Sequence, residues 1–293
     1  MKIFLIVYFF ALVFLNAKIY SQCSDAGVCV IGRHQVNEFV RAKNSIYFGY
    51  IYGSSGKDAD INGSLNNLSY GSFRLEADIE ISNGFRLNAS IPYTFVSGPL
   101  GETNGLGDAE AVFSKVLAIK KKNLLSFFIG GKFSTGKVNS SDSLPQRYMP
   151  GQGSNDLIAG VQYTRENYYF AAGYQKPFGR SANTTTRLKR GDDVFFRAGF
   201  FEQFSKVGVK AEIITILRLQ RSSVLLNRVP QETFIEVEGS NETQVSMLAS
   251  AIFSPTEKFS VTGTAAIPFL KRNYNYDGLK RALTISVMLS YNF

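Results

Sequence analysis

The stretch ALTISVMLSYNF, residues 282–293, alternates without a break. Leu283, Ile285, Val287, Leu289, Tyr291 and Phe293 fall on one face. Thr284, Ser286, Met288, Ser290 and Asn292 fall on the other. Period two is the geometry of a strand, because successive side chains leave a strand on opposite sides. A strand in a water-soluble protein usually runs about 5–6 residues. Twice that length, apolar on one whole face, demands an apolar surface on that side.

The same pattern recurs along the chain. Alternating segments lie near 45–52, 68–82, 85–96, 107–119, 124–136, 155–165, 168–177, 191–203, 207–220, 241–253, 258–270 and 279–293. In SFRLEADIEI, Phe73, Leu75, Ala77, Ile79 and Ile81 oppose Arg74, Glu76, Asp78 and Glu80. FRLNASIPYTF repeats the arrangement after Asn83-Gly84, a dipeptide suited to a tight hairpin because both turn positions take positive φ. The connections alternate too. Short ones at 83–84, 120–123, 166–167, 204–206 and 254–257 are interleaved with longer polar ones near 53–67, 97–106, 137–154, 178–190, 221–240 and 271–278. Short turns at one end and long loops at the other, on an even number of amphipathic strands, predict an all-β, twelve-stranded antiparallel transmembrane barrel over 45–293. Only a closed barrel lets strands cross lipid with every backbone group paired. SIPYTF, YQKPFG and AIPFLK each place a Pro-aromatic pair on strands that point the same way, which predicts one aromatic rim.

The N-terminus has a different character. Lys2, an apolar run from Ile3 to Leu15 and a polar flank predict a signal peptide over 1–21, with an anchor helix as the competing reading. Residues 22–44 then form a periplasmic segment, either a plug for the lumen or a flexible tail. Cys23 and Cys29, the chain's 2 cysteines, predict a small disulfide loop in an exported protein, with free thiols as the alternative. The net charge of +9 suits anionic lipid better than nucleic acid, because the basic residues form no stripe interleaved with aromatics.

Three glycine-rich stretches come in a fixed order: NGLGDAEAVFSKVL, FFIGGKFSTGK and GQGSNDLIAGVQYTRE. Together they resemble a family of Gram-negative outer-membrane barrel transporters associated with meta-pathway phenol degradation. In that family Gly-Leu-Gly-Asp opens one strand, Thr-Gly closes the next, and Gly-Ser-x-Asp opens the third. Here these are Gly105, Gly107 and Asp108, then Thr135-Gly136, then Gly153 and Asp156. Where most members read Pro-Thr-Gly, this chain has Ser134-Thr135-Gly136. The CSDAGVC start resembles that of Bacteroidetes-type outer-membrane proteins. The resemblance implies passive uptake of small molecules, hydrophobic ones among them. Physically, glycines at loop mouths allow bends and close approach, and Asp108 and Asp156 are expected to accept backbone donors there.

The inward charges are the candidate site: Arg74, Glu76, Asp78, Glu80, Arg86, Lys132, Arg197, Lys210, Glu212 and Arg218. Two roles stay open for them, neutralising one another and lining a pore. Catalysis is not expected, because the chain's 1 histidine, His34, precedes the first strand and pairs with no serine on a barrel wall. No cofactor, metal or nucleotide site is expected, since ligand clusters and a phosphate-binding glycine loop are missing from the sequence. The expected setting is the cell outer membrane, with lipid and lipopolysaccharide around the wall. The expected partners are a small-molecule solute and, through the closing strand, the barrel-assembly machinery. The alternative is a non-transporting structural or adhesive barrel whose long outer loops bind a ligand. An outer-membrane enzyme is a third, weaker reading.

Overall fold

The computed structural model describes residues 44–59, 65–82, 84–120, 123–270, 272, 276 and 283–293. The leader expected over 1–21 and the Cys23–Cys29 segment expected over 22–44 lie outside these residues, apart from Asn44.

Alternation builds the wall strands: β1 (Ser45–Ala59), β2 (Leu65–Ser82), β3 (Phe85–Gly98), β4 (Gly101–Leu106), β5 (Ala109–Lys120), β6 (Asn123–Phe133), β7 (Asn155–Arg165), β8 (Tyr168–Phe178), β9 (Asp193–Phe204) and β10 (Val207–Arg218). After an outer hairpin of β11 (Ser223–Asn227) and β12 (Thr233–Glu236), the wall resumes with β13 (Gln244–Phe253), β14 (Phe259–Leu270) and β15 (Leu283–Asn292). The main sheet holds 13 of these. β3 pairs with β4 along its outer half and with β5 along its inner half, so β4 and β5 are two pieces of one wall strand. The wall therefore has twelve strands, all antiparallel. It closes because β1 pairs with both β2 and β15, in the register Ser45↔Asn292 to Ser54↔Leu283. The seam ends with the Phe293 N–H donating to the Asn44 carbonyl at 2.9 Å.

The outer face is the apolar one. Phe48, Phe73, Phe113, Ile213 and Val287 are among its exposed side chains, from different strands. Their exposure has a physical reason: hydrocarbon, not water, is the solvent on that side. Phe48 and Phe73 stack at 6.0 Å across the β1–β2 pair, and Tyr291 and Phe293 at 6.3 Å on the closing strand. Tyr93, Phe178 and Phe269, each following a proline, are exposed on the outer face. Pro92 sits where β3 changes partners, and its carbonyl accepts the Gly107 N–H at 2.8 Å.

Three segments differ from the sequence-based reading. The connection expected over 53–67 is strand at both ends, since β1 runs on to Ala59 and β2 starts at Leu65. The connection expected over 97–106 is mostly strand: the chain turns after Gly98 and returns as β4. The loop expected over 221–240 contains the β11–β12 hairpin. None of the three has the long apolar alternation of a wall strand.

Candidate functional site

The barrel's core is its lumen. Inner-face side chains interdigitate so fully that Glu76, Gln162, Gln175, Asp193, Ile158 and Phe195 are all buried.

The charges on this face form local networks across neighbouring strands. Arg74 Nε forms an ion pair with Glu76 Oε1 at 2.6 Å, and Arg74 Nη2 donates to Glu110 Oε2 at 2.9 Å and Ser90 Oγ at 2.7 Å. Toward the tight-turn end, Arg86 Nε donates to Asp78 Oδ1 at 3.0 Å. Glu80 lies at that rim with a side chain 48% exposed, 3.9 Å from Arg86. On the opposite wall Glu212 is a hub. It accepts from the Tyr169 hydroxyl, from Arg197 Nε at 2.6 Å and from Lys210 Nζ at 3.0 Å. Tyr169 reaches it by lying across Gly199, its partner position on β9, where any Cβ would collide with the ring.

A third network lies toward the long-loop end. Asp156 accepts from Lys132 at 2.9 Å and Gln175 Nε2 at 2.6 Å, and forms an ion pair with Arg190 at 3.2 Å. Asp193 takes a two-pronged bond from Arg218, Nε at 3.0 Å and Nη2 at 2.8 Å. Arg272 also reaches Asp193, at 3.3 Å, and its Nε donates to the Glu242 carbonyl at 2.8 Å. Burying charge is costly, and a buried pair recovers that cost only with good geometry and extra hydrogen bonds. The Glu212 hub and the Arg218–Asp193 fork supply both.

Sequence reasoning missed several members. Glu110 is in phase with Asp108, and carrying the period inward from that aspartate would have found it. Asp193 opens β9 in DDVFF, two residues before inward Phe195, so the same rule applies. Arg190 and Arg272 stand outside the wall strands, where no period points.

Charge is only part of the inner surface. Val112, Phe128, Ile158, Phe195, Ile214, Ile216, Leu248 and Ala266 form a buried apolar band. Its centre is a row of four paired positions: Phe128, Gly160, Gly173 and Phe195 on β6 to β9. The two glycines leave the trough in which the two rings stack, at 6.3 Å and 22°. The remaining wall is different again. Inward positions on β13–β15 carry no charge: Ser246, Ser250, Ser260, Thr264, Thr284, Ser286 and Ser290 supply hydroxyls. Many of these bond sideways, as Ser250 with Thr264 at 2.9 Å and Tyr70 with Thr284 at 2.8 Å.

The three glycine-rich motifs converge on one clamp. Asp108 occupies the break between β4 and β5. Its Oδ1 accepts the Gly136 N–H at 3.0 Å and its Oδ2 the Gln152 N–H at 2.7 Å. Thr135 Oγ1 accepts the Ala109 N–H at 2.9 Å. The loop between β6 and β7 is thereby drawn inward, and Leu144, Tyr148 and Met149 pack on Leu68, Tyr70 and Val96 of the wall. Asp108 thus accepts backbone donors, whereas the bonds described for Asp156 come from side chains. Gly153, at φ 70, turns the chain back toward β7. Neighbouring loops lock onto this one: Asn183 Nδ2 donates to the Val138 carbonyl at 2.8 Å and Thr185 Oγ1 to the Ser143 carbonyl at 2.7 Å. The Gly136→Ala change tests the clamp. Its Cβ would lie 2.7 Å from Gly107 C and 2.8 Å from Gly151 Cα, both backbone atoms. The expected cost is about 1–3 kcal/mol, as for other overpacked sites. Faster protease cleavage within 137–150 is the readout, and unchanged cleavage would show that the neighbours yield without releasing the loop.

A closed wall with an apolar exterior and a paired, charged interior defines an integral β-barrel of the Gram-negative outer membrane. No family profile matches the chain, and no curated protein sequence does. Solved structures do match in fold. An outer membrane channel from Pseudomonas putida F1 is 12% identical, with 86% of this chain and 96% of that one covered at a TM-score of 0.58. The NanC porin is 9% identical, with 85% and 100% covered at a TM-score of 0.54.

Proposed function

We propose that the chain is an outer-membrane channel for passive movement of small solutes, held closed in this conformation. The observation that carries the reading is the polar inner face, which runs along every wall strand past the buried apolar band and the inward loop. A barrel serving only as a scaffold needs no such axial run of charge and hydroxyl. Its fold neighbours, a Pseudomonas channel and the NanC porin, support the same class of function. The closing strand, with Tyr291 and Phe293 directed at lipid, serves in this reading as the assembly signal.

The test is swelling of proteoliposomes in isotonic arabinose. The full chain is expected to admit the sugar slowly. The Phe128→Ala/Phe195→Ala protein, with the band's centre removed, is expected to admit it faster. If neither protein swells, the channel reading fails.

One observation favours a second reading, surface binding by the outer loops. The β11–β12 hairpin presents Leu226, Val229 and Ile235 to solvent, Val229 at 75% exposure. Binding of intact cells to a host or abiotic surface, lost when 225–235 is replaced by a short Gly-Ser turn, would support it.

A further inference from the structure

We propose that the outer third of the lumen recognises small organic anions that carry an apolar body. The site is built from Lys132, Arg190, Arg218 and Arg272 above the Phe128–Phe195 pair. The proposal deepens the channel reading and rests on it for transport, though not for binding.

Four cations converge here on two carboxylates, Asp156 and Asp193. Asp193 alone has three guanidinium groups around it: Arg218 at 2.8 Å, Arg272 at 3.3 Å and Arg190 at 3.9 Å. Like charges crowded in a low-dielectric interior repel, and a second carboxylate among them would relieve that repulsion. The imbalance extends along this side of the lumen. Buried on or beside β6–β10 are Lys132, Arg190, Arg197, Lys210, Arg218 and Arg272. The buried carboxylates there, among the described residues, are Asp156, Asp193 and Glu212, with Asp108 near Lys132 at the break between β4 and β5, four against six cations. On β2, β3 and β5 the balance reverses, with Arg74 and Arg86 against Glu76, Asp78 and Glu110. An anion entering the lumen is therefore drawn toward β6–β10.

The apolar band lies directly beneath the cations. Asp156 precedes Ile158, Asp193 precedes Phe195 and Arg218 follows Ile216, each by one inward position. A carboxylate held by the guanidiniums leaves its attached ring or branched chain over the aromatic pair. An inorganic anion satisfies the charges and makes no use of the band. A neutral aromatic does the reverse.

Origin of the cations adds a further step. Lys132 and Arg218 belong to wall strands, whereas Arg190, in the connection before β9, and Arg272, after β14, lie outside them and pair with wall carboxylates. An incoming carboxylate exchanges with Asp156 or Asp193 as their partner. The ion pairs by which Arg190 holds the connection before β9 are then traded for pairs with the solute, and binding favours opening.

Benzoate is the probe, compared with benzyl alcohol, benzylammonium and acetate by calorimetry on the full chain in detergent. Benzoate is expected to bind more tightly than all three. The Arg190→Gln/Arg272→Gln protein is expected to bind it about tenfold more weakly, or less tightly still. Phe128→Leu is expected to weaken benzoate and leave acetate unchanged. Equal binding of benzoate and benzylammonium by the unaltered protein overturns the proposal whether or not the variants fold. So does unchanged benzoate affinity in the double variant. Benzoate binding without swelling in any solute would retain the site and remove the channel reading. Swelling without preference for benzoate would do the opposite.

Discussion

Asp193→Asn is expected to destabilise the barrel by about 3–5 kcal/mol, the loss typical when one partner of a buried ion pair is removed. The change keeps the side chain's size and removes its charge. Arg218 then loses the carboxylate that accepts its two-pronged bond, and Arg272 loses an ion-pair partner. Both guanidiniums stay buried, because Arg218 is carried by β10 and Arg272 is tied to the Glu242 carbonyl. Urea unfolding in lipid vesicles, followed by the mobility of folded and unfolded bands, measures the loss. A change near 0.5 kcal/mol, as at an ordinary surface site, would mean that the outer network has other means of neutralisation.

Ile213→Arg is the second large effect, expected at about 2–4 kcal/mol because an arginine near the bilayer midplane is costly on a barrel's lipid face. Ile213 is 49% exposed, on the outer side of β10 near its middle, between inward Glu212 and Ile214. Val229→Arg, on the outer hairpin, is the control and should change stability by no more than about 0.5 kcal/mol. Equal losses at the two positions in a refolding titration would refute the assignment of faces.

These two positions show how far the sequence could be read. Ile213 sits in VKAEIITILR, where Lys210 and Glu212 fix the phase, so its outward direction was legible. Wherever charge alternates with apolar residues, as from Phe73 to Ile81, the two faces were distinguishable. The phase weakens in the same strand past Glu212. Ile213, Ile214, Ile216 and Leu217 are all apolar, and hydropathy alone does not separate lipid from lumen. The band of Val112, Phe128, Ile158 and Phe195 escaped for that reason: each lies among apolar neighbours that face the other way. The clamp was half legible. Asp108 and the glycines stood out as a motif, but their meeting depends on chain segments about 28 and 44 residues apart. Arg190 and Arg272 were beyond reach, because a loop residue's direction is set by tertiary contacts and not by a local period.

The charge-free stretch from β13 to β15 has a consequence for handedness. Travelling around the axis from β2, the inner surface passes from an acid-rich sector, through a cation-rich one, to a sector of hydroxyls. Three unlike sectors in a fixed rotational order make a chiral bore. A solute with a cationic, an anionic and a hydroxyl edge meets them in matching order. Its mirror image, with the same groups and the same size, meets them reversed and has to give up one contact to keep the other two. In the proposed channel, passage is thus a comparison of enantiomers as well as of charges and sizes.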